Sequence, residues 1–343
     1  LYNRPAPYLV DSTVQAMAGK TSLPSYPSEG AVLAGVTAEM MQLLFPDEIA
    51  NIQQKLQQEE FSLIASGAAA PSDVTAGEAL GREVADVFIA RGRSDKAGSA
   101  VGTPTIWANF VTTTEAGGQT PWVSLDAPAR PPMLPLFYEV KGFLLDSADV
   151  VALCPPPPPS TSSDTMKQMV QQALYTVQHA TREQVSLVQL WADGTGTWTP
   201  PGHWNYIAAQ DFIAQNWSEV RWARNLALLN MAEMDAAIEC WYIKYHYFNP
   251  RPTQMDPMIR TLTGIPNFPS YVSGHSMFSG AAATILGHII PSRAQAYQQL
   301  AQDAANSRIY SGIHYTLDCT VGLQVAQQVG NYAIQRAMSD GAE

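Results

Sequence analysis

The sequence predicts an all-α protein, a multi-helix bundle, from three observations. Strict apolar/polar alternation is scarce, apolar residues recur at three- and four-residue spacing through most of the chain, and Pro, Ser or Asp stands at the start of several of those runs. With 343 residues, 46% of them hydrophobic and 14% charged, the chain can bury a substantial core and is too apolar to be disordered.

Residues 1–30 are rich in Pro, Ser and Tyr without a period and read as an extended arm. Val36 to Phe45 reads as one helix. Pro46-Asp47-Glu48 supplies an N1 proline and first-turn acids for a second, whose face continues through Ile52, Leu56 and Leu63. Ser72-Asp73 caps a third, running to about Arg91 with Val74, Leu80, Val84, Val87 and Phe88 apolar. Residues 95–163 change character, with Gly, Thr and Pro throughout and the run Pro155 to Pro159, and read as a long ordered or semi-ordered excursion. From Asp164 the chain reads as helical almost to its end, with helices near 165–180, 182–191, 201–215, 219–247, 274–289, 293–313 and 315–337. The expected organisation is therefore an arm, helices and a Pro-rich excursion over residues 1–163, packed on a helical core over residues 164–343, together one compact unit.

A net charge of −11 would repel a phosphate backbone and argues against nucleic-acid binding, so any anion site must be a local device. Cys154, Cys240 and Cys319 form neither a disulfide framework nor a zinc spacing. The strongest apolar stretch, Met277 to Ile290, is short for a bilayer span and carries His288, so no membrane embedding is expected. The chain starts at Leu1 rather than Met, so its native N-terminus is expected to lie outside this sequence. A periplasmic or secreted location stays open, and the oligomeric state is not legible.

Three C-terminal segments concentrate charge and imidazole in apolar surroundings. In Lys244-Tyr-His-Tyr-Phe-Asn-Pro-Arg251-Pro252 the prolines stop a helix just past Lys244, so that Lys244 and Arg251 can face one point; two cations at a helix C-terminus equally complement its dipole. Phe268-Pro-Ser-Tyr-Val-Ser273-Gly274-His275 opens the apolar helix at 274–289, where free N–H groups, a glycine and a serine hydroxyl suit an anion, or where Ser273 is a plain cap. In Arg308-Ile-Tyr-Ser-Gly-Ile-His314-Tyr-Thr-Leu-Asp318, the His and Asp stand four apart. On one helix face Asp318 would accept the Nδ1–H of His314 and leave Nε2 free; an ordinary surface pair has the same spacing. Together they supply three cations, two histidines, an oriented carboxylate and a helix N-terminus, the inventory for holding a tetrahedral oxyanion.

The ordered triple K-x6-R-P, S-G-H and S-R-x5-H-x3-D resembles the signature of the vanadium-dependent haloperoxidases and of the type 2 phosphatidic acid phosphatase (PAP2) superfamily that contains them. The resemblance covers roughly residues 165–338. It implies the helical bundle of that superfamily, with Lys244, Arg251, Arg308, Ser273 and Gly274 binding the oxygens of vanadate, or of phosphate in the same site. It makes His314 the protein ligand to vanadium or the phosphatase nucleophile, Asp318 the group that fixes its tautomer, and His275 the acid–base group.

Trp241 and Phe268 stand where the fungal type of vanadium chloroperoxidase has Trp and Phe, whereas algal bromoperoxidases typically have His at the Phe position. This resemblance implies a halide pocket, although each aromatic reads equally well as packing. Asp193, in Trp191-Ala-Asp-Gly-Thr-Gly-Thr-Trp-Thr-Pro-Pro-Gly-His-Trp204, falls where chloroperoxidases have an aspartate bonded to the acid–base histidine; His203 reads as part of a Pro-started helix. The leading expectation is a vanadate-dependent peroxidase that oxidises halide with hydrogen peroxide. The alternative is a soluble acid phosphatase that cleaves phosphomonoesters through a phosphohistidine at His314. A scaffold with a relic site is disfavoured because no member of the shell is missing. There is no G-x-S-x-G elbow and no H-E-x-x-H.

Overall fold

The computed structural model describes residues 2–17, 19–20 and 23–342. Leu1, Ala18, Thr21 and Ser22, part of the expected arm, and Glu343 lie outside the described residues. Among the described residues there are helices and no strand, as the periodicity predicts. No helix among them is long and apolar enough to cross a membrane.

The chain divides into two compact units. The first comprises the residues up to Asp95 with Trp217–Ala223. It holds α1 (Glu29–Leu44), α2 (Ile49–Ala65) and α3 (Pro71–Ser94), while the arm has one helical turn, Pro7–Val10. The arm is tied down by Arg4, whose Nη1 lies 2.7 Å from Asp73 Oδ1 in the first turn of α3. Helix α1 begins at Glu29 rather than Val36 because Ser28 caps it, its Oγ accepting from Ala31 N. The apolar face expected on α3 is not its packing face: Val74 is buried, but Leu80, Val84, Val87 and Phe88 are exposed. Small residues make the contact instead. A Cβ on Gly77 would stand 2.5 Å from Ser28 O and one on Gly81 2.3 Å from Val32 O, so α1 and α3 meet backbone to backbone.

The second unit comprises residues 96–216 and 224–343. Residues 95–163, read as an excursion, contain two helices, α4 (Pro104–Ala116) and α5 (Ser147–Leu153). Proline at N1 starts α4, and its run of threonines hid it because β-branched residues favour helices weakly. There follow α6 (Asp164–Gln178), α7 (Arg182–Leu190), α8 (Thr199–Ile213), α9 (Glu219–Tyr247, in this unit from residue 224), α10 (Gly274–Ile289), α11 (Ala294–Tyr310) and α12 (Thr316–Ser339). Helix α10 is central: Met277, Ala281, Ala282, Ala283, Ile285 and Leu286 are wholly buried, and α11 and α12 pack along it. Gly322 on α12 faces the start of α10, where a Cβ would come within 2.9 Å of Ser276 Cβ and 3.3 Å of Ser273 O. Asp235 on α9 accepts the N–H groups of Phe143, Leu144 and Leu145 at 2.6–2.8 Å, anchoring part of the excursion to the core.

Candidate active site

The three charged segments come from α9 and the loop after it, the start of α10, and the turn between α11 and α12. Lys244, near the end of α9, is fully buried, and its ammonium donates to the carbonyls of Pro269, Ser270 and Val272 at 2.7, 2.9 and 2.5 Å. Burial, with the nearby Arg251 adding to it, pushes its pKa down to about 7. Arg251 is also buried. Its Nε donates to Phe268 O at 3.0 Å and its Nη1 to Ile313 O at 2.8 Å and toward His314 Nε2 at 3.2 Å, while Nη2 has no partner among the described residues. Burial lowers the pKa of Arg251 and of Arg308 to about 10, so both stay cationic at neutral pH. Arg308, in the last turn of α11, donates from Nε to Ser307 Oγ at 2.9 Å and from Nη2 to Val188 O at 3.2 Å.

Ser273 caps α10: its Oγ accepts from Ser276 N and its own N–H donates to Asp318 O at 3.0 Å. The space where a Gly274 Cβ would sit is open, with nothing within 4 Å. His275 donates from Nε2 to Trp191 O at 2.9 Å, which leaves Nδ1 as the lone-pair nitrogen of the neutral ring. It is held neutral, well below the usual histidine range, by burial first and then by Arg308, His203 and Arg251.

His314 does not stand on a helix with Asp318. Helix α11 ends at Tyr310 and α12 begins at Thr316, and the intervening turn passes through Gly312 at φ +75°. Asp318 sits in the first turn of α12 and reaches back, so that its Oδ2 lies 2.9 Å from His314 Nδ1 and 2.6 Å from Ser270 Oγ. The carboxylate therefore accepts from Nδ1–H, which makes Nε2 the unprotonated nitrogen. Burial, then Arg251 and Lys244, with opposition to double protonation from His275 and the charge of Arg308, hold His314 well below the usual histidine range, so all three segments act on this one imidazole. Burial pushes Asp318 up to about 6, against the pull of Ser270, Lys244, Tyr315 N–H and Arg251.

Phe268 and Trp241 form an aromatic wall, ring centroids 5.1 Å apart. The Phe268 ring lies 4.9 Å from Lys244 Nζ and 5.0 Å from Arg251 Cζ, in cation–π contact with both. A segment of the excursion backs this wall: Met133 O accepts from Trp241 Nε1 at 3.2 Å and from the Tyr245 hydroxyl at 2.7 Å. A cavity of about 290 Å³, lined by Trp122, Leu125, Asp126, Gln254 and Asn267, reaches Arg251.

Asp193 is placed differently from expectation. Its Oδ2 lies 3.0 Å from His203 Nδ1 and its Oδ1 accepts from Trp198 Nε1 at 3.1 Å, while His275 is bonded to a backbone carbonyl instead. Asp193 has a positive φ, +39°, and its carboxylate reaches His203 in the Pro-started helix α8. Three participants were not singled out from sequence: Ser270, the Trp191 carbonyl and the backing segment at Met133. Ser270 lay inside the segment quoted for Ser273, three residues before it, and nothing in the pattern separates the two hydroxyls.

Residues 225–336, the segment that carries Lys244, Arg251, His275, Arg308 and His314, match the PAP2 superfamily model. The fold is similar to the crystal structure of the first bacterial vanadium-dependent iodoperoxidase, with a TM-score of 0.73 at 22% identity over 89% of this chain and 78% of that one. It is also similar to a bacterial vanadium-dependent chloroperoxidase in its apo form (TM-score 0.63, 13% identity, 90% of this chain and 83% of that one) and its holo form (0.59, 13%, 89% and 82%). No curated protein matches the sequence.

Proposed function

We propose that the chain is a vanadate-dependent peroxidase that oxidises halide with hydrogen peroxide. The observation that carries the reading is the pair of buried cations about His314, Arg251 with an unpartnered Nη2 and Arg308, beside a neutral imidazole whose unprotonated nitrogen, Nε2, faces the Arg251 guanidinium. An unpartnered buried guanidinium N–H is costly unless something accepts from it, and an oxyanion supplies that acceptor. The open space at Gly274 on the N-terminus of α10 fits the same group, because the helix start favours negative charge and no side chain fills it.

Arg251, Arg308 and the Ser273–Gly274 helix start would hold the oxygens of vanadate, His314 Nε2 would ligate the vanadium, and Lys244 would add positive charge from behind. Vanadate, when bound, supplies the Lewis-acid centre that activates peroxide toward halide. Asp318 keeps the Nδ1 proton and so keeps Nε2 available. His275 Nδ1 takes up and returns the proton of the incoming peroxide. The Phe268–Trp241 wall excludes water and shapes the halide position. The similar folds of an iodoperoxidase and a chloroperoxidase are consistent with the peroxidase reading.

One observation favours a second reading, a phosphomonoester phosphatase: a neutral, carboxylate-oriented imidazole is also a competent nucleophile toward phosphorus. There Nε2 would form the bond to phosphorus as the bond to the ester oxygen breaks, the leaving oxygen taking the proton of the phosphate monoanion relayed through the lone-pair nitrogen Nδ1 of His275, and water would then cleave the phosphohistidine. Halide oxidation assayed with and without added vanadate, beside phosphomonoester cleavage by the same preparation, separates the two. Vanadate-dependent halide oxidation supports the peroxidase. Its absence across roughly pH 4–8, a window spanning histidine titration, together with His314-dependent phosphomonoester cleavage, overturns it.

A further inference from the structure

The loop before α8 and the first turns of that helix build an aromatic box around a histidine outside the anion-binding segments. His203 is 7% exposed, and its ring centroid lies 4.4 Å from that of Trp191 and 5.1 Å from that of Trp198. Asp193, with its positive φ, accepts from His203 Nδ1 at 3.0 Å and from Trp198 Nε1 at 3.1 Å, so one carboxylate fixes both the imidazole and one of the indoles that cover it. The other indole belongs to Trp191, whose carbonyl takes the Nε2 proton of His275 at 2.9 Å. The next residue of α8, Trp204, donates from Nε1 to Ser279 Oγ at 2.9 Å, on α10 one turn beyond His275. Helix α8 thus grips both the helix that carries His275 and the residue that orients its ring.

We propose that His203, pinned by Asp193, is a positioning residue for His275: by holding Trp191 in place it fixes His275 as the Nε2–H tautomer and reserves Nδ1 for proton transfer at the anion site. The proposal rests on the reading of that site given above. The charged and titratable groups that act on His275 are Arg308 from α11, Arg251 from the loop after α9 and His203 from α8, with His314 coupled to it across the site. His203 itself is bonded to Asp193 and acts on His275 through its electrostatic field. A histidine whose charge lies close to another opposes protonation of the second, so the dyad bears on the charge of His275 as well as its orientation.

Nitrogen-15 NMR of the histidine side chains, with His275→Ala to assign the resonance, reads the tautomer directly in the anion-free protein. Two variants are compared with wild type: His203→Phe keeps an aromatic between the indoles but cannot bond Asp193, and Asp193→Asn removes the charge that pins the imidazole. The expected result is mixed tautomers of His275 in both, a turnover loss of about 10–100-fold, the usual size for an orienting partner, a shifted pH profile, and sulfate affinity close to wild type. A wild-type tautomer and pH profile in His203→Phe would overturn the proposal. Loss of anion affinity in step with turnover would do the same, because it reduces His203 to packing. If the wild type binds neither sulfate nor vanadate, the anion-site reading itself fails, and the tautomer comparison still decides whether His203 positions His275.

Discussion

Asp318 closes the turn that presents His314. The same carboxylate oxygen that lies 2.9 Å from His314 Nδ1 also accepts the N–H of Tyr315 at 3.3 Å, at the start of α12. Capping the helix and orienting the imidazole are tasks of one atom. Asp318→Asn removes the charge that favours the Nδ1–H tautomer and is expected to weaken vanadate affinity or turnover by about 10–100-fold. Calorimetry with vanadate and steady-state kinetics read the two losses, and wild-type behaviour in both would reduce the pair to a structural contact.

Orthovanadate should bind and phosphate should compete with it, since in the proposed site one buried set of cations and one helix start would serve both anions. Titrating vanadate into protein saturated with phosphate should lower the apparent affinity in proportion to phosphate. Binding of both without competition, or of neither at millimolar concentration, contradicts a shared site.

Much of this arrangement is legible in the sequence, because helix starts and stops are written by local chemistry. Ser273 ahead of a long apolar run and Pro250 and Pro252 behind Lys244 place the cations at helix ends, and the structure has α9 and α10 at the residues those signals give. Relations that depend on packing are not written locally. The period of α3 suggested an apolar face, but contact runs through Gly77 and Gly81, where only the absence of side chains matters. Asp193 illustrates the same limit at the site: a match to a family position says nothing of the local backbone, with its positive φ, from which the carboxylate reaches His203.

Lys244 predicts a proton linkage. Its pKa is pushed down to about 7, so in the anion-free protein the ammonium is lost as pH rises through that value, whereas a bound dianion favours the charged form. Anion binding near neutral pH should therefore take up a fraction of a proton, and affinity should rise as pH falls from about 8 to about 6, one unit either side of that value. Sulfate is the suitable probe because its charge is constant over this range. Calorimetry in buffers of different ionisation enthalpy measures the uptake; zero uptake would mean that Lys244 is charged throughout, as in water.

Gly322 predicts a coupling between packing and the site. A methyl group there meets Ser276 Cβ at 2.9 Å and the Ser273 carbonyl at 3.3 Å, neither of which is the free end of a side chain. Gly322→Ala should destabilise the fold by about 1–3 kcal/mol, the usual cost of overpacking, and weaken anion binding as the α10 start is displaced. The paired measurement is a denaturation midpoint and a vanadate isotherm. Unchanged affinity in a destabilised variant would separate the α12 contact from the site.

His275 separates binding from chemistry. It donates to the Trp191 carbonyl, and Arg251 and Arg308, the cations proposed to hold the anion, make their hydrogen bonds without it. His275→Ala should keep most of the vanadate affinity while losing turnover by about 10²–10⁴-fold, the range for an acid–base group. The way the loss falls also distinguishes the two chemistries. In a peroxidase, halide oxidation collapses because the proton of peroxide has no acceptor at Nδ1. In a phosphatase, the loss is large for alkyl phosphates, whose leaving oxygen needs the proton, and small for aryl phosphates, whose phenolate leaves unaided. Retained halide oxidation in His275→Ala would mean that another group moves the proton, and the neutral, carbonyl-bound imidazole would then serve only to shape the start of α10.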